Sequence, residues 1–176
     1  MGRRASRSRF APGHYVFPGG RVDAADYRAQ PLTPLRGEVA QRLSATCGPG
    51  RARALAVAAV RETYEETGLV LGEIRGGSLL PALDRLDFIL RAITPSDWPL
   101  RFHARFFIAN AEAFTGELRG NGELLDLAWQ PINALLKLPL IDVTQFILER
   151  LASNPGATYA EPAPLFCFLK GRSRVM

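Results

Sequence analysis

The spacing of apolar residues along the chain predicts three helices. Residues 51–67 contain no Gly or Pro and are rich in alanine, and Gly68 follows where a left-handed residue commonly ends a helix. Apolar residues recur every fourth position over 35–43, and the pattern over 143–151 predicts a C-terminal helix. The helix over 51–67 is the longest of the three.

Runs of aromatic and branched residues predict strands between and around these helices. The runs cover 88–93, 101–109 and 127–129, and a basic loop over 1–16 leads into a brief strand ending near Phe17. Helices and strands therefore mix along the chain without internal repeats, which indicates an α/β fold. The apolar segment 164–169 fits two interpretations, an edge strand or a hydrophobic tail through which a homodimer forms.

Length and composition favour one soluble domain. A chain of 176 residues with 47% apolar residues can fill one core, so we expect a single domain over 1–176. No run approaches the roughly 20 apolar residues of a membrane span, and the arginine-rich start lacks the apolar stretch of a signal peptide. We expect a cytoplasmic protein without a membrane partner, whose Cys47 and Cys167 are reduced thiols.

The net charge of +5 comes almost wholly from arginine, since Lys137 and Lys170 are the only lysines among 22 basic residues. A basic surface suits a polyanionic ligand, either nucleic acid or a small phosphorylated metabolite. The sequence has no helix-turn-helix pattern, zinc-finger spacing or RNA-binding aromatic motif, so we expect no nucleic-acid partner. A plainer interpretation is that the charge only keeps the protein soluble.

Three carboxylates lie close together on the longest predicted helix. Glu62, Glu65 and Glu66 are spaced i, i+3 and i+4, which places them on one helical face, where they repel one another. Such a cluster is stable if an arginine such as Arg61 offsets it, or if a hard cation such as Mg²⁺ binds the oxygens. The alternative is an acidic helix face that only contacts solvent.

The sequence from Arg61 to Leu69, RETYEETGL, resembles the second half of the Nudix box, whose pattern is G-x5-E-x7-R-E-U-x-E-E-x-G-U with U apolar. Upstream, the turn Phe17-Pro18-Gly19-Gly20 resembles the glycine turn that opens this box. Because both pieces occur in one chain, the sequence is identified as similar to the Nudix hydrolases.

This resemblance implies a fold and a chemistry. The fold is an α/β/α sandwich with a mixed β-sheet. We see no strand upstream of the basic loop, so either the sheet lacks its first strand or the native chain begins earlier. Metal ligands would be Glu62, Glu65 and Glu66 with the carbonyl near Gly20, and Arg61 would orient the carboxylates. The metal would be Mg²⁺ or Mn²⁺, and the reaction hydrolysis of a diphosphate bond in a nucleoside diphosphate derivative.

The chain departs from the Nudix pattern in two places. Gly20 and Arg61 lie 41 positions apart instead of 14, so about 27 residues are inserted, and we assign the insertion to 21–50 as a lid or a dimer surface. Counting back from Arg61 puts Arg53 where the box has its first glutamate, which removes an accessory carboxylate. A further glutamate used as metal ligand or base in many Nudix enzymes is best matched by Glu123.

The N-terminal arginines bear on the substrate. The pattern from Arg4 through Arg9 to the FPGG turn is similar to a signature of Nudix enzymes that act on coenzyme A, and a peroxisomal acyl-coenzyme A branch carries a long insertion in the box. Arg4, Arg9 and Phe17 would then contact the substrate, and Arg105 would contact a phosphate. ADP-ribose, dinucleoside polyphosphates and oxidised nucleotides are the alternatives.

Two further interpretations concern the use of the fold. Four aromatic side chains would line a nucleoside pocket or pack in the core: Phe102, Phe106, Phe107 and Trp129. A Nudix scaffold without catalysis could serve as a nucleotide sensor, but the three helix glutamates are present, which favours an enzyme.

Overall fold

The computed structural model describes residues 1–95, 98, 101–156, 162–169 and 172–176. The α-helices of this part of the chain are α1 (Gly37–Ser44), α2 (Pro49–Thr67), α3 (Ile132–Leu135) and α4 (Asp142–Ser153). The strands are β1 (Gly2–Arg4), β2 (Tyr15–Val16), β3 (Gly72–Arg75), β4 (Ser78–Pro81), β5 (Asp87–Ile93), β6 (His103–Ile108), β7 (Leu124–Leu125), β8 (Leu165–Leu169) and β9 (Arg172–Val175).

The largest sheet is mixed and carries helices on both faces. Its order is β6-β5-β8-β9, with β5 and β8 parallel and the other pairs antiparallel. Phe88 on β5 packs with Val39 and Leu43 of α1, whereas Leu90 packs with Ile147 of α4. Two smaller antiparallel sheets, β2-β1-β7 and β3-β4, complete the fold. These layers confirm the predicted α/β fold with a mixed sheet.

Helix α2 is the element that carries the glutamates. It begins at Pro49, two residues before the predicted start, and ends at Thr67 with Gly68 in the left-handed conformation at φ 74°. A side chain at position 68 would also collide with the carbonyl of Glu117, so glycine is required there. Its alanine-rich face is buried against Leu71 and Leu83, which fixes the helix. No helix in the described ranges is long and apolar enough to cross a membrane.

The inserted segment packs into the core on the N-terminal half of α2. Val39 and Leu43 of α1 are fully buried, in agreement with the helix predicted over 35–43. Arg53 of α2 donates hydrogen bonds to the carbonyls of Ala29 and Tyr27 and so ties the segment to the helix. The buried contacts of α1 hold this part of the segment against α2 and β5. The role of the segment as a lid or a dimer surface stays a prediction.

Three predictions about strands need correction. The first residues of the predicted basic loop form β1 (Gly2–Arg4), which pairs with β2 and β7. The strand predicted at 127–129 is absent, and β7 lies just before it, because the chain buries Leu124 and leaves Trp129 60% exposed. The segment 164–169 contains β8, which lies between β5 and β9 and is therefore not an edge strand.

Candidate metal and diphosphate site

The glycine turn lies directly against the glutamates of α2. The backbone N–H of Gly19 donates a hydrogen bond of 3.0 Å to Glu66 Oε2. A Cβ atom on Gly20 would lie within 2.5 Å of the carboxylate of Glu62, so a side chain at this position would force that carboxylate to move. The turn and the helix, which are separated by the insertion in sequence, therefore meet in space as the resemblance predicts.

Glu66 is a buried carboxylate with an altered proton affinity. Glu66 is only 3% exposed. Desolvation by burial raises its pKa to about 7, although the hydrogen bond from Gly19 acts to lower the pKa. The neighbouring charges of Glu62 and Glu123 raise the pKa further, and Arg4 lowers it. A buried, mutually repelling set of carboxylates of this kind is stabilised by a bound cation.

Arg61 connects Asp26, in the segment after the glycine turn, to the carboxylates of α2. Its Nε and Nη2 donate to the two oxygens of Asp26 at 2.9 and 3.0 Å, and its Nη1 donates to Glu62 and Glu65 at 2.9 Å each. The Asp26 hydrogen bonds are the largest cause of the raised pKa of Arg61, while partial burial acts to lower it. The guanidinium is thus fixed on both sides, and it holds Glu62 and Glu65 in defined positions.

Asp26 is a site residue that the sequence analysis missed. It is 1% exposed, and the N–H of Asp23 donates to it at 2.7 Å in addition to the bonds from Arg61. Asp26 stands six positions after Gly20, where the box pattern G-x5-E has its first acidic residue. Counting back from Arg61 reached Arg53 because the count crossed the insertion. Asp26 is therefore a candidate for the accessory carboxylate of the box, and the insertion over 21–50 stays a prediction.

The pairing of β1 with β7 brings two more predicted residues to the site. Arg4 pairs with Leu124, and Glu123 directly precedes Leu124, so both Arg4 and Glu123 lie at this end of the strand pair. The charge of Glu123 acts on both Glu62 and Glu66. Arg4 acts on Glu66 with the opposite sign, and its buried Nε has no hydrogen-bond partner within the described structure. Burial is the main cause of the raised pKa of Glu62. An acidic residue, Glu123, and a basic residue, Arg4, therefore flank the carboxylates of α2.

Other predicted contacts lie elsewhere. Arg105 donates to the carbonyls of His103 and Thr46, and its charge interacts with that of Arg51 near the start of α2. Since a helix rises about 1.5 Å per residue, Arg51 lies roughly 22 Å along α2 from Glu66, so the structure does not bring Arg105 to the glutamates.

The aromatic side chains divide between core and surface. Phe17 packs edge to face on Phe106, with ring centroids 6.3 Å apart, in the core cluster that contacts α4. Phe107 packs in the clusters beneath α2, and Trp129 is largely exposed. Arg9 is exposed in the N-terminal loop. Phe17 and Arg9 remain predictions as substrate contacts, and Phe106 and Phe107 have the core role.

The donor set fits a divalent cation that is shared with a phosphate ligand. No three His, Cys, Asp or Glu side chains of the described chain converge closely enough to enclose a metal. Two carboxylates, Glu62 and Glu66, do face the tight approach at Gly19 and Gly20. Mg²⁺ commonly binds through one or two carboxylates plus substrate phosphates rather than in a full protein cage.

Comparison with known proteins decides the family. Residues 1–150 match the NUDIX domain family. The chain belongs to the Nudix hydrolase family. A solved structure, a NUDIX hydrolase from Alicyclobacillus acidocaldarius, is similar with a TM-score of 0.65 and 28% identity, covering 89% of this chain and 83% of that one. The Nudix fold predicted from the box is thereby confirmed.

A curated relative comes from Gallus gallus and is named acyl-coenzyme A diphosphatase NUDT19. The two sequences are 36% identical over an alignment 102 residues long. The match covers 43% of this chain and 27% of that protein. The match thus spans about a quarter of the length of the relative.

The close approach of Gly20 to the Glu62 carboxylate can be tested by adding a methyl group at position 20. A Gly20→Ala substitution should lower diphosphatase activity at least about a hundredfold, because the new methyl group displaces Glu62 or the turn from a geometry that catalysis needs within about 1 Å. Gly50→Ala is the matched control, since a Cβ there meets nothing within 4 Å. Steady-state kinetics and thermal unfolding of both variants give the answer, and equal activities would contradict the contact.

Proposed function

We propose that this chain is a divalent-metal-dependent diphosphatase that hydrolyses a nucleoside diphosphate linked to another group, with coenzyme A or an acyl-coenzyme A as its substrate. The observation that carries the proposal is the glycine turn closed on two carboxylates, one of them buried with a pKa near 7. Such a site is poorly stabilised without a cation and well suited to one that also binds phosphate.

Each site residue has a proposed role that follows from its contacts. Glu62 and Glu66 hold Mg²⁺ or Mn²⁺, and Glu65 contributes to the same acidic face. Arg61 positions Glu62 and Glu65 and is itself fixed by Asp26. A divalent cation held by these residues would supply neutralisation of the charge that develops on the diphosphate and would make the attacking water more acidic.

Two side chains at the edge of the site, Arg4 and Glu123, have proposed roles toward the substrate phosphate and the attacking water. The buried Nε of Arg4 lies near Glu66 with no acceptor in the described structure, so Arg4 is placed to bind a phosphate oxygen. Glu123 is exposed beside the same carboxylates and is placed to accept a proton from water. Little covalent chemistry is then required of the protein.

The choice of coenzyme A rests on the arginine pattern and on one relative. Arg4 lies beside the carboxylates and Arg9 in the exposed loop that follows it, so one segment supplies two cations for a substrate with several phosphates. The Gallus gallus relative is named for acyl-coenzyme A cleavage. That relative is much longer than the matched segment, so its substrate is carried over here as a proposal.

A substrate panel tests this function. The protein is incubated with Mg²⁺ or Mn²⁺ and coenzyme A, acetyl-coenzyme A, ADP-ribose, diadenosine polyphosphates or 8-oxo-dGTP, and products are separated by chromatography. We expect adenosine 3′,5′-bisphosphate and a 4′-phosphopantetheine product from coenzyme A, reduced at least about tenfold in Glu65→Gln. Faster cleavage of ADP-ribose or of a dinucleoside polyphosphate would overturn the coenzyme A assignment. The absence of any metal-dependent product would overturn the diphosphatase.

A further inference from the structure

Three aromatic side chains that play no part in the carboxylate site form a cluster beside the glycine turn. The Phe10 ring lies 5.2 Å from the Phe102 ring and 5.5 Å from the Trp98 ring, measured between centroids. Phe10 comes from the N-terminal loop, whereas Trp98 and Phe102 come from the connection between β5 and β6. We call Phe10, Trp98 and Phe102 the aromatic platform.

Arg21, the residue that follows the glycine turn, contacts the aromatic platform. The guanidinium of Arg21 lies 5.8 Å from the centroid of the Phe102 ring, and Arg21 directly follows Gly20. The carbonyl of Arg21 also accepts a hydrogen bond of 3.0 Å from Arg61, which in turn binds Glu62. One short segment therefore joins the platform to the carboxylates.

Hydrogen bonds fix the backbone of Phe102, one of the three platform residues. Phe102 donates its N–H to Thr94 Oγ1 at 2.8 Å, and Thr94 donates its N–H to the carbonyl of Phe102 at 3.1 Å. This pair of hydrogen bonds across the hairpin fixes the backbone of Phe102. A preformed surface loses less entropy when a ligand binds.

Exposure and charge distinguish the aromatic platform from core packing. Trp98 is 40% exposed, and Phe10 and Phe102 are only half-buried, whereas Phe88 of the core is fully buried. Three exposed arginines belong to the same segments: Arg21, which contacts the Phe102 ring, and Arg9 and Arg101, which precede Phe10 and Phe102 in the sequence. Aromatic faces stack on flat bases of any sequence, and neighbouring cations attract phosphates, so this surface suits a nucleotide.

We propose that the aromatic platform binds the base of the substrate nucleotide by stacking, and that Arg21 with Arg9 binds the phosphates nearest to the base. The inference rests on the proposed function, because the diphosphate must lie at the glutamates while the base reaches the platform. Its ligand class is a purine nucleotide that carries phosphate on its ribose.

Fluorescence tests binding without turnover. The chain has two tryptophans, so Trp129→Phe leaves Trp98 as the only source of tryptophan fluorescence. Titration of this variant with adenosine 3′,5′-bisphosphate, in a chelator, should quench the emission in a saturable way, and ribose 5-phosphate, which lacks a base, should not. No quenching by the bisphosphate, or equal quenching by ribose 5-phosphate, would overturn the platform.

Substitution of Trp98 provides a second readout. In otherwise native protein, Trp98→Leu should weaken bisphosphate binding and raise KM about tenfold with kcat little changed, and Trp98→Phe should retain most of the affinity. Trp129→Leu is the matched control, since that side chain is also exposed and lies outside the platform. Unchanged affinity in Trp98→Leu would overturn the platform. Saturable quenching in a protein that cleaves nothing would support the platform and contradict the proposed function.

Discussion

Replacement of Glu66 by Gln is expected to lower metal-dependent diphosphatase activity by about a thousandfold or more. Glu66 is one of the two carboxylates that the glycine turn contacts, and a metal ion supplies several kcal/mol of stabilisation to a developing charge, with each 1.36 kcal/mol worth about tenfold in rate. The matched control is Glu112→Gln, an exposed residue on a short turn away from the site, which should keep its activity.

The same Glu66→Gln variant is expected to be more stable than the native protein at alkaline pH. The folded-state pKa of Glu66 is raised to about 7 from 4.5, so ionisation costs folding free energy above pH 7 and costs nothing below about pH 4.5. At about 1.4 kcal/mol per pKa unit, and allowing for solvent screening, the cost is on the order of 2 to 3 kcal/mol at pH 8.5.

Denaturant unfolding in a chelator, at pH 8.5 and at pH 5, measures this difference. The stability gained by Glu66→Gln should shrink as the pH falls, because native Glu66 then takes up a proton and the charge is lost. A variant that is less stable than native protein at pH 8.5 would contradict the account of Glu66 as a desolvated carboxylate.

Replacement of Arg61 by Met is expected to cost about 3 to 5 kcal/mol of stability and to lower activity about 10- to 100-fold. The substitution leaves Asp26 buried without its two hydrogen bonds from Arg61, and an unpaired buried charge is strongly destabilising. Activity falls because Glu62 and Glu65 lose the donor that positions them.

A double-mutant cycle separates the two effects. Adding Asp26→Leu to Arg61→Met should recover a large part of the lost stability, since a buried ion pair can be replaced by apolar groups at little cost. Activity should stay low in the double variant because Glu62 and Glu65 remain without Arg61. Additive stability losses would show that Asp26 and Arg61 are not coupled as their geometry indicates.

Local patterns were enough to predict the helix and the glycine turn of the site. The end of α2 follows from the absence of Gly and Pro up to Gly68, and Glu62 and Glu66 share a face because of the helical period. The close approach of Gly20 to Glu62 was implied by the family pattern rather than by periodicity. Whether these residues bind metal stays a prediction.

Long-range placements could not be derived in the same way. Asp26 was missed because the insertion lies between it and α2, so a count back along the sequence passes through unrelated residues. Arg105 was assigned to phosphate because one sequence does not say which way a strand side chain points, and its register opposite Arg91 turns it toward the start of α2. Trp98 lies in a stretch of sequence without apolar periodicity.

The central claim is that Glu62 and Glu66 hold the cation that drives diphosphate cleavage. Mn²⁺ binding followed by electron paramagnetic resonance, with native protein, Glu62→Gln, Glu66→Gln and the exposed control Glu112→Gln, tests it most directly. We expect native protein and the control to bind Mn²⁺ alike, and each site variant to bind at least about tenfold more weakly. Native affinity in both site variants would contradict the claim.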